Sequence, residues 1–232
     1  MLGNNPQILH WRERIADWRG RGIYQGWPNR HRAIFIHIPK TAGSSVARSL
    51  FGEPRGNPHA PYHEYERINR RKFREYFKFT FVRNPWDRAV SSYFYLRNTA
   101  MQGAEEDWRR RHVVPYADFA SFVRESLDQD SIWKSLHFRP QHSFICDATM
   151  RLRADFVGRM ETIDRDFDYV CGRLGVSAKL ERTNRSDHRS YTEYYTDELR
   201  ERVAAVYADD IALFGYRFDA PPVRPLLSVE RA

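Results

Sequence analysis

Two short apolar runs, each followed directly by a polar turn and a helical pattern, constrain the fold more than any other feature. The first is AIFIHI at residues 33–38, and the second is KFTFV at residues 78–82. Runs rich in β-branched and aromatic residues are typical of strands that are buried on both faces. Because such strands need helices on either side, the pattern predicts an α/β fold of three layers, with a mainly parallel central sheet flanked by helices.

The remaining patterns place further elements along the chain. An amphipathic helix is expected at residues 7–19, where Ile8, Trp11, Ile15 and Trp18 are spaced by three and four and predict a face packed against the domain. Residues 99–115 are polar and without periodicity, which predicts a mobile insertion or substrate lid. We expect two further strands, at 143–146 and 155–158, and helices ending near Leu50, Phe77 and Asn98 and spanning 116–127, 163–174 and 196–213.

Length and composition predict a single domain over residues 1–232, with 1–30 as an N-terminal helical extension and 219–232 as a surface tail. The chain has 38 Lys and Arg against 30 Asp and Glu, a net charge of +8. This excess favours an anionic ligand, although a solvated basic surface explains it equally well. Two cysteines without metal-ligand spacing argue against a disulfide framework and a zinc site. No export signal or apolar span is visible, so we expect a cytoplasmic protein.

The turn after the first predicted strand has the composition of an anion site. It reads Lys40-Thr41-Ala42-Gly43-Ser44-Ser45 and leads from the strand into a helix. Backbone N–H groups at a helix start, a lysine and several hydroxyls together suit a phosphate or a sulfate group. The alternative is an ordinary strand-to-helix turn with Ser44 as the helix cap. The glycine pattern of a nucleoside-triphosphate P-loop is absent.

The second strand ends in the string FVRNPWDRAVSSY, which begins at Phe81. Arg83 stands at the strand end and Ser91 two helical turns later, so both can converge on one oxyanion beyond the carboxyl end of the sheet. The alternative is that Arg83 pairs with Asp87 and that Ser91 is merely a small residue at a helix contact. We expect Arg88 to hold this turn through a carboxylate.

HIPKTAGSS followed some forty residues later by FVRNPWDRAVSSY resembles the sulfotransferases that use 3′-phosphoadenosine 5′-phosphosulfate (PAPS). The resemblance is greatest to the carbohydrate-type branch that includes bacterial enzymes and heparan sulfate 2-O-sulfotransferase. It extends over residues 33–218 and includes DFVGRME from Asp155, RTNRS from Arg182 and the segment from Tyr207 to Tyr216. It implies a P-loop-like fold and a sulfuryl transfer from PAPS to an acceptor hydroxyl, with the loop at 40–45 around the 5′-phosphosulfate. It also implies that Arg83 and Ser91 bind the 3′-phosphate, and that Arg182 and Ser186 lie near the nucleotide.

An in-line sulfuryl transfer needs charge stabilisation on the leaving group and a base for the acceptor hydroxyl. Lys40 can supply the positive charge. The loop at residues 57–64 offers three candidate bases, in the order His59, His63 and Glu64, and the family resemblance favours His59. His37, inside the first strand, is expected to pack or to satisfy a local carbonyl group.

The predicted acceptor is a hydroxyl group of a carbohydrate or of a small molecule. Gln141 and His142 are predicted to line its cleft, with a structural role as the alternative. The sequence contains no cluster of carboxylates that would indicate a metal site, so we expect no metal to be required. The alternative function is a P-loop-like kinase or phosphotransferase. The sequence argues against it because the glycines of the Walker A motif are missing and no strand ends in an acidic residue that could bind Mg²⁺. A nucleic-acid-binding module is disfavoured because no groove-reading or base-stacking motif appears.

Overall fold

The computed structural model describes residues 6–52, 59–181 and 189–220. In these ranges the strands are β1 (Ala33–Phe35), β2 (Phe77–Val82) and β3 (Phe156–Arg159). The helices of the first half are α1 (Pro6–Trp18), α2 (Trp27–His31), α3 (Gly43–Phe51), α4 (Tyr62–Ile68), α5 (Arg70–Glu75), α6 (Pro85–Asn98) and α7 (Gly103–His112). Those of the second half are α8 (Phe119–Glu125), α9 (Gln129–Ile132), α10 (His142–Ile145), α11 (Ile163–Leu174), α12 (Asp197–Val206) and α13 (Ala208–Phe214). Two single 3₁₀ turns lie at Met160–Thr162 and Tyr191–Tyr194.

The three strands form one parallel sheet in the order β1-β2-β3. β1 ends at Phe35, three residues before the end of the apolar run at residues 33–38. The backbone N–H of Ile36 still donates to Phe79 O at 2.9 Å. At the other pairing Gly158 lies opposite Phe81. A Cβ on Gly158 would come within 2.6 Å of the Phe81 ring, so the absence of a side chain is what lets this ring cross β3. The predicted parallel sheet is confirmed.

Alternate residues of each strand enter two separate cores, which makes the molecule three-layered. Ile34, Ile36 and Val82 pack in one core with helices such as α6, α8 and α12, whereas Phe35 and Phe79 pack in the other with α3 and α11. This is the burial pattern of a sheet covered by helices on both faces. It confirms the α/β fold predicted from the sequence.

The carboxyl ends of the strands deliver three segments to one edge of the sheet. The chain leaves β1 through residues 36–42 into α3, leaves β2 through Arg83 into α6, and leaves β3 into the turn that starts at Met160. Asn84 caps α6 by accepting from the N–H of Trp86 at 3.0 Å, with proline at the first helical position. Parallel sheets bind ligands at this edge.

Two secondary-structure predictions are wrong. Residues 103–112 form α7 instead of an irregular insertion, and Trp108 holds it in place, 2% exposed with its indole N–H donating to Ser131 O at 3.0 Å. Residues 142–145 form the short helix α10 and not a strand. Its start is fixed by the Asp210 carboxylate, which accepts from the backbone N–H of Gln141 at 2.7 Å. Both errors come from short segments whose conformation depends on a distant partner.

The prediction of helix α1 is confirmed. The prediction that its apolar face packs against the domain is wrong, because Trp11 and Trp18 are 62% and 83% exposed. Within the described residues no helix is both long enough and apolar enough to cross a bilayer. Most of the predicted tail, from residue 221 onward, lies outside the described residues. The prediction of one domain stays a prediction.

Candidate active site

A cavity of about 490 Å³ opens where β1 and β2 end, against α3 and α6. It gathers most of the residues that the sequence singled out. The lining residues are His37, Pro39, Lys40, Ala42, Gly43, Ser44, Ser45, His59, Arg83, Ser91, Phe94, Tyr95, Asn98, Thr99, His137, Met160 and Tyr194.

The loop from Pro39 to Ala42 is built on two left-handed residues, Lys40 with φ 67° and Ala42 with φ 63°. Each costs about 1–2 kcal/mol in a residue that carries a Cβ, and strain of this kind gathers at ligand sites. Alternation of left-handed and ordinary residues is also the backbone pattern of anion-binding concavities. Ala42 is the cap residue of α3 and has no side-chain acceptor for its first N–H groups. The helix start therefore presents backbone donors to the cavity.

The side chains of this loop divide into two groups. Thr41 is fully buried, and its hydroxyl donates to Ile38 O at 2.9 Å, so it holds the turn together. Ser44 is exposed and lines the cavity together with Ser45. The Thr41 hydroxyl is thus engaged in the loop itself, whereas Ser44 and Ser45 lie at the cavity wall.

Gly43 permits a close contact between the loop and β1. A Cβ at this position would lie 1.9 Å from Cδ2 of the His37 ring, so any side chain would displace that imidazole. His37 is buried between Gly43 and Phe35, whose ring it stacks on at a centroid distance of 5.5 Å. Burial, together with His59 nearby, lowers the pKa of His37 to about 3. His37 therefore stays neutral and packs, as expected.

Lys40 brings a cation into this cavity, with Nζ 3.9 Å from the centroid of the Tyr95 ring. Burial, reinforced by the neighbouring guanidinium groups of Arg83 and Arg88, lowers the pKa of Lys40 to about 8. A cation that is partly desolvated and surrounded by other cations gains most from an anionic ligand.

Arg83 both pairs with Asp87 and lines the cavity. Its Nε and Nη2 donate to the two Asp87 carboxylate oxygens at 2.8 and 2.7 Å, and Nη1 donates to Lys40 O at 3.2 Å. These contacts use three of the five N–H donors of a guanidinium group, leaving capacity for a ligand. The alternative pairing considered from the sequence is therefore present, and it fixes Arg83 in place without removing it from the cavity. Ser91 is buried at the wall of the same cavity.

Arg88 holds the turn through carbonyl groups, not through the carboxylate we expected. Its Nε donates to Pro39 O at 3.0 Å, and its Nη2 donates to Arg139 O at 2.9 Å. Arg88 is 2% exposed. The side chain ties the loop of residues 39–45 to the segment that carries His137.

His59 has the tautomer that a general base requires. Its Nδ1 lies 3.0 Å from His37 O, and because a carbonyl oxygen can only accept, Nδ1 carries the proton. The acceptor lone pair is then on Nε2. Burial lowers the pKa of His59, and the positive charge of nearby groups adds to this effect, while its bond to His37 O opposes it. The imidazole is therefore neutral near pH 7.

His137 is a cavity residue that sequence reasoning missed. Its Nδ1 lies 2.8 Å from Glu105 Oε1. The centroid of its ring lies 5.0 Å from that of the Tyr95 ring and 6.5 Å from that of the His59 ring. Burial acts to raise the pKa of Glu105, but hydrogen bonds from His137 and from Leu136 N–H outweigh it and lower that pKa. No motif surrounds His137, and Glu105 lies in the segment predicted to be irregular, so the sequence held no signal for this pair.

Four other predicted residues lie away from the cavity lining. His63 is exposed and lines a separate cleft beside α1, and Glu64 is not among the residues at the cavity wall. Gln141 is fully buried, with its amide bridging Arg83 N and Arg83 O at 2.9 Å each. His142 Nδ1 lies 2.8 Å from Asp210 Oδ1. Gln141 therefore supports the chain at the end of β2, and Asp210 holds His142 in place, so neither position favours contact with a substrate.

Arg182 and Ser186 lie outside the described residues, as do residues 57 and 58 of the loop before His59. Among the described residues there is no group of three or more His, Cys, Asp or Glu side chains arranged to hold a metal ion.

Comparison with known proteins connects this cavity to one family. Carbohydrate sulfotransferase 11 of Rattus norvegicus is 24% identical over 231 residues, which cover 80% of this chain and 65% of that protein. Carbohydrate sulfotransferase 14 of Danio rerio is 26% identical over 224 residues, which cover 81% of this chain and 60% of that protein. The chain thus spans less than two thirds of the length of these relatives. No solved structure matches it.

A sequence model described as the sulfotransferase family matches residues 28–217, which include every described residue of the cavity wall. The chain belongs to the sulfotransferase family.

Proposed function

We propose that the chain transfers a sulfuryl group from PAPS to a hydroxyl group of a carbohydrate, with His59 as the general base. The observation that carries this proposal is that three features lie in one cavity. They are the start of α3 with Lys40, the guanidinium group of Arg83 held by Lys40 O, and the neutral imidazole of His59 with its lone pair on Nε2. Family membership supports the reaction class. The names of the relatives, which are carbohydrate sulfotransferases, support a carbohydrate acceptor.

The charges of the cavity suit the donor. PAPS, when bound, would supply a sulfuryl group joined to its 5′-phosphate, and adenosine 3′,5′-bisphosphate would be the leaving group. Lys40, Arg83 and the backbone N–H groups at the start of α3 give the cavity cationic and hydrogen-bonding character for two anionic groups. We assign the loop at 40–45 to the 5′-phosphosulfate and the pair Arg83 and Ser91 to the 3′-phosphate. The contribution of Arg182 and Ser186 stays a prediction from the family resemblance.

His59 and Lys40 divide the chemical work. His59 Nε2 accepts the proton of the acceptor hydroxyl, while Nδ1–H donates to His37 O and so holds the ring in orientation. Lys40 places an ammonium group where negative charge develops on the leaving oxygen. His63 and Glu64 were the other candidate bases, and the cleft that His63 lines is a different one. For this reason we place the base at His59.

Calorimetric titration with adenosine 3′,5′-bisphosphate in EDTA tests the donor site directly, with ADP and AMP as controls. We expect binding without metal that requires the 3′-phosphate, since Arg83 and Ser91 have no partner on AMP. A preference for ADP with magnesium would contradict the proposal and favour a kinase. After binding is established, transfer of labelled sulfate from PAPS to a panel of glycans identifies the acceptor.

A further inference from the structure

Helix α1 contacts the rest of the molecule through its polar face. Glu13 Oε2 lies 2.6 Å from Arg67 Nη1, and Asp17 Oδ1 lies 2.7 Å from Lys72 Nζ. Asp17 is buried, and its other oxygen accepts from Asn69 Nδ2 at 2.8 Å. Ion pairs and hydrogen bonds from Glu13 and Asp17 to residues 67–72 thus fix the orientation of this helix.

The apolar face of α1 is exposed to solvent, and Trp18 also lines the open cleft between α1 and residues 63–72. Trp11 is 62% exposed, Ile15 is 44% exposed and Trp18 is 83% exposed. With 3.6 residues per turn these three side chains lie within about 60° of one another around the helix axis, and Glu13 and Asp17 lie on the far side. An amphipathic helix normally buries its apolar stripe against the core. Here the arrangement is inverted, and two tryptophans are left facing solvent.

The charges beside the apolar stripe are all positive. Arg12 and Arg14 lie on opposite flanks of it, at about 100° and about 60° from Trp11. Arg19 and Arg21 follow in the turn after the helix, and all four arginines are exposed. The two acidic residues of this segment are used by Arg67 and Lys72. The outward surface of residues 10–21 therefore combines tryptophan, isoleucine and four unopposed cations.

We propose that α1 docks this protein on an anionic lipid surface, lying in the plane of the membrane interface. Tryptophan prefers the boundary between headgroups and acyl chains, and arginines on the flanks of a helix bind acidic headgroups. A second copy of the chain fits less well, because two such faces would bring their arginines together with no free carboxylate to oppose them. The inner leaflet supplies the negative charge in the cytoplasmic location expected from the sequence.

The inference does not depend on the proposed transfer reaction, because α1 shares no residue with the cavity at the strand ends. Sedimentation with vesicles of phosphatidylcholine, with and without phosphatidylglycerol, measures the docking on the full chain. We expect binding only when phosphatidylglycerol is present, weaker binding as salt is raised, and a blue shift of tryptophan emission. The calorimetric titration with adenosine 3′,5′-bisphosphate is made on the same preparations.

Paired variants separate the apolar and the charged contributions. Trp11→Ala with Trp18→Ala should abolish vesicle binding, whereas Trp133→Ala, at a tryptophan 45% exposed elsewhere, should leave it unchanged. Arg12→Glu with Arg14→Glu should weaken it, since each arginine near an anionic surface contributes about fivefold to partitioning. All these side chains are exposed, so thermal melts of the variants should match the parent.

Three results would overturn the proposal: no vesicle binding, equal binding to neutral and anionic vesicles, or binding that survives the double tryptophan substitution. Light scattering adds a fourth. A dimer that the same double substitution dissociates would assign the stripe to a second copy of the chain.

Discussion

The two walls of the cavity differ in charge, although desolvation lowers pKa values on both. One wall, which we call the cationic wall, consists of Lys40 and Arg83 with the backbone of residues 39–45. The other, the imidazole wall, consists of His37, His59 and His137, and burial lowers the pKa of the first two so that they are neutral. In the proposed mechanism, anion binding and proton transfer therefore reside on different side chains. Substitutions should separate the two functions if the assignment of each wall is correct.

The sharpest test of this difference is His59→Ala. Loss of the base should lower kcat by about 10²–10⁴-fold, the usual contribution of general base catalysis, and leave the affinity for adenosine 3′,5′-bisphosphate unchanged. Steady-state sulfate transfer and calorimetry measure the two quantities. His63→Ala is the matched control and should keep both. Full turnover in His59→Ala with loss in His63→Ala would move the base to the other cleft.

Arg83→Ala tests the cationic wall. A hydrogen bond to a charged group is worth about 1.5–3 kcal/mol, so the affinity for adenosine 3′,5′-bisphosphate should fall about tenfold to a hundredfold. Arg83 also holds Lys40 O at 3.2 Å, which adds to the loss by loosening the loop. Calorimetry gives the affinity, and Arg70→Ala, an exposed cation outside the cavity, is the control. Equal losses in the two variants would mean that only overall charge matters.

Gly43→Ala breaks the contact between the walls, because its Cβ would lie 1.9 Å from the His37 ring. We expect the free energy of unfolding to fall by about 1–3 kcal/mol, as for other overpacked sites, together with losses in binding and turnover. Gly172→Ala is the matched control, since nothing lies within 4 Å of its Cβ position in α11. It should gain about 0.5–1 kcal/mol. Thermal and denaturant melts decide, and an unchanged Gly43→Ala would mean that the loop and β1 adjust freely.

Proton uptake gives the smallest effect. The pKa of Lys40 is about 8 in the free protein, so near pH 8 about half of the chains carry the ammonium group. An anion raises this pKa, so nucleotide binding at pH 8 should take up as much as about half a proton. Calorimetry in buffers of different ionisation enthalpy measures the uptake. Lys40→Arg, which is charged throughout, should remove it, and an uptake that persists would assign it to another group.

The cationic wall was predictable because its parts lie in short contiguous strings. Arg83 and Asp87 are four residues apart, and the loop at 40–45 is a single turn between a strand and a helix. Local geometry brings the residues of each string together, and the parallel pairing of β1 with β2 brings Lys40 and Arg83 to the same edge of the sheet. The same strings predicted the parallel sheet and the edge at which the cavity lies.

The imidazole wall was only half predictable, because its contacts join distant residues. His59 bonds to a carbonyl 22 positions earlier, and His137 pairs with a carboxylate 32 positions earlier. Glu105 reaches His137 only because Trp108 anchors α7, which the polar composition of residues 99–115 concealed. Such contacts depend on tertiary packing that neither periodicity nor spacing encodes.

Arg88 joins the two walls, since it donates both to Pro39 O in the loop and to Arg139 O two residues after His137. A shift of the loop that alters one of these bonds strains the other, so we expect the proposed donor and acceptor sites to share a coupling free energy. Linkage makes that coupling reciprocal: the factor by which donor changes acceptor affinity equals the factor by which acceptor changes donor affinity. The order in which the two substrates arrive then changes the route to the ternary complex but not its stability.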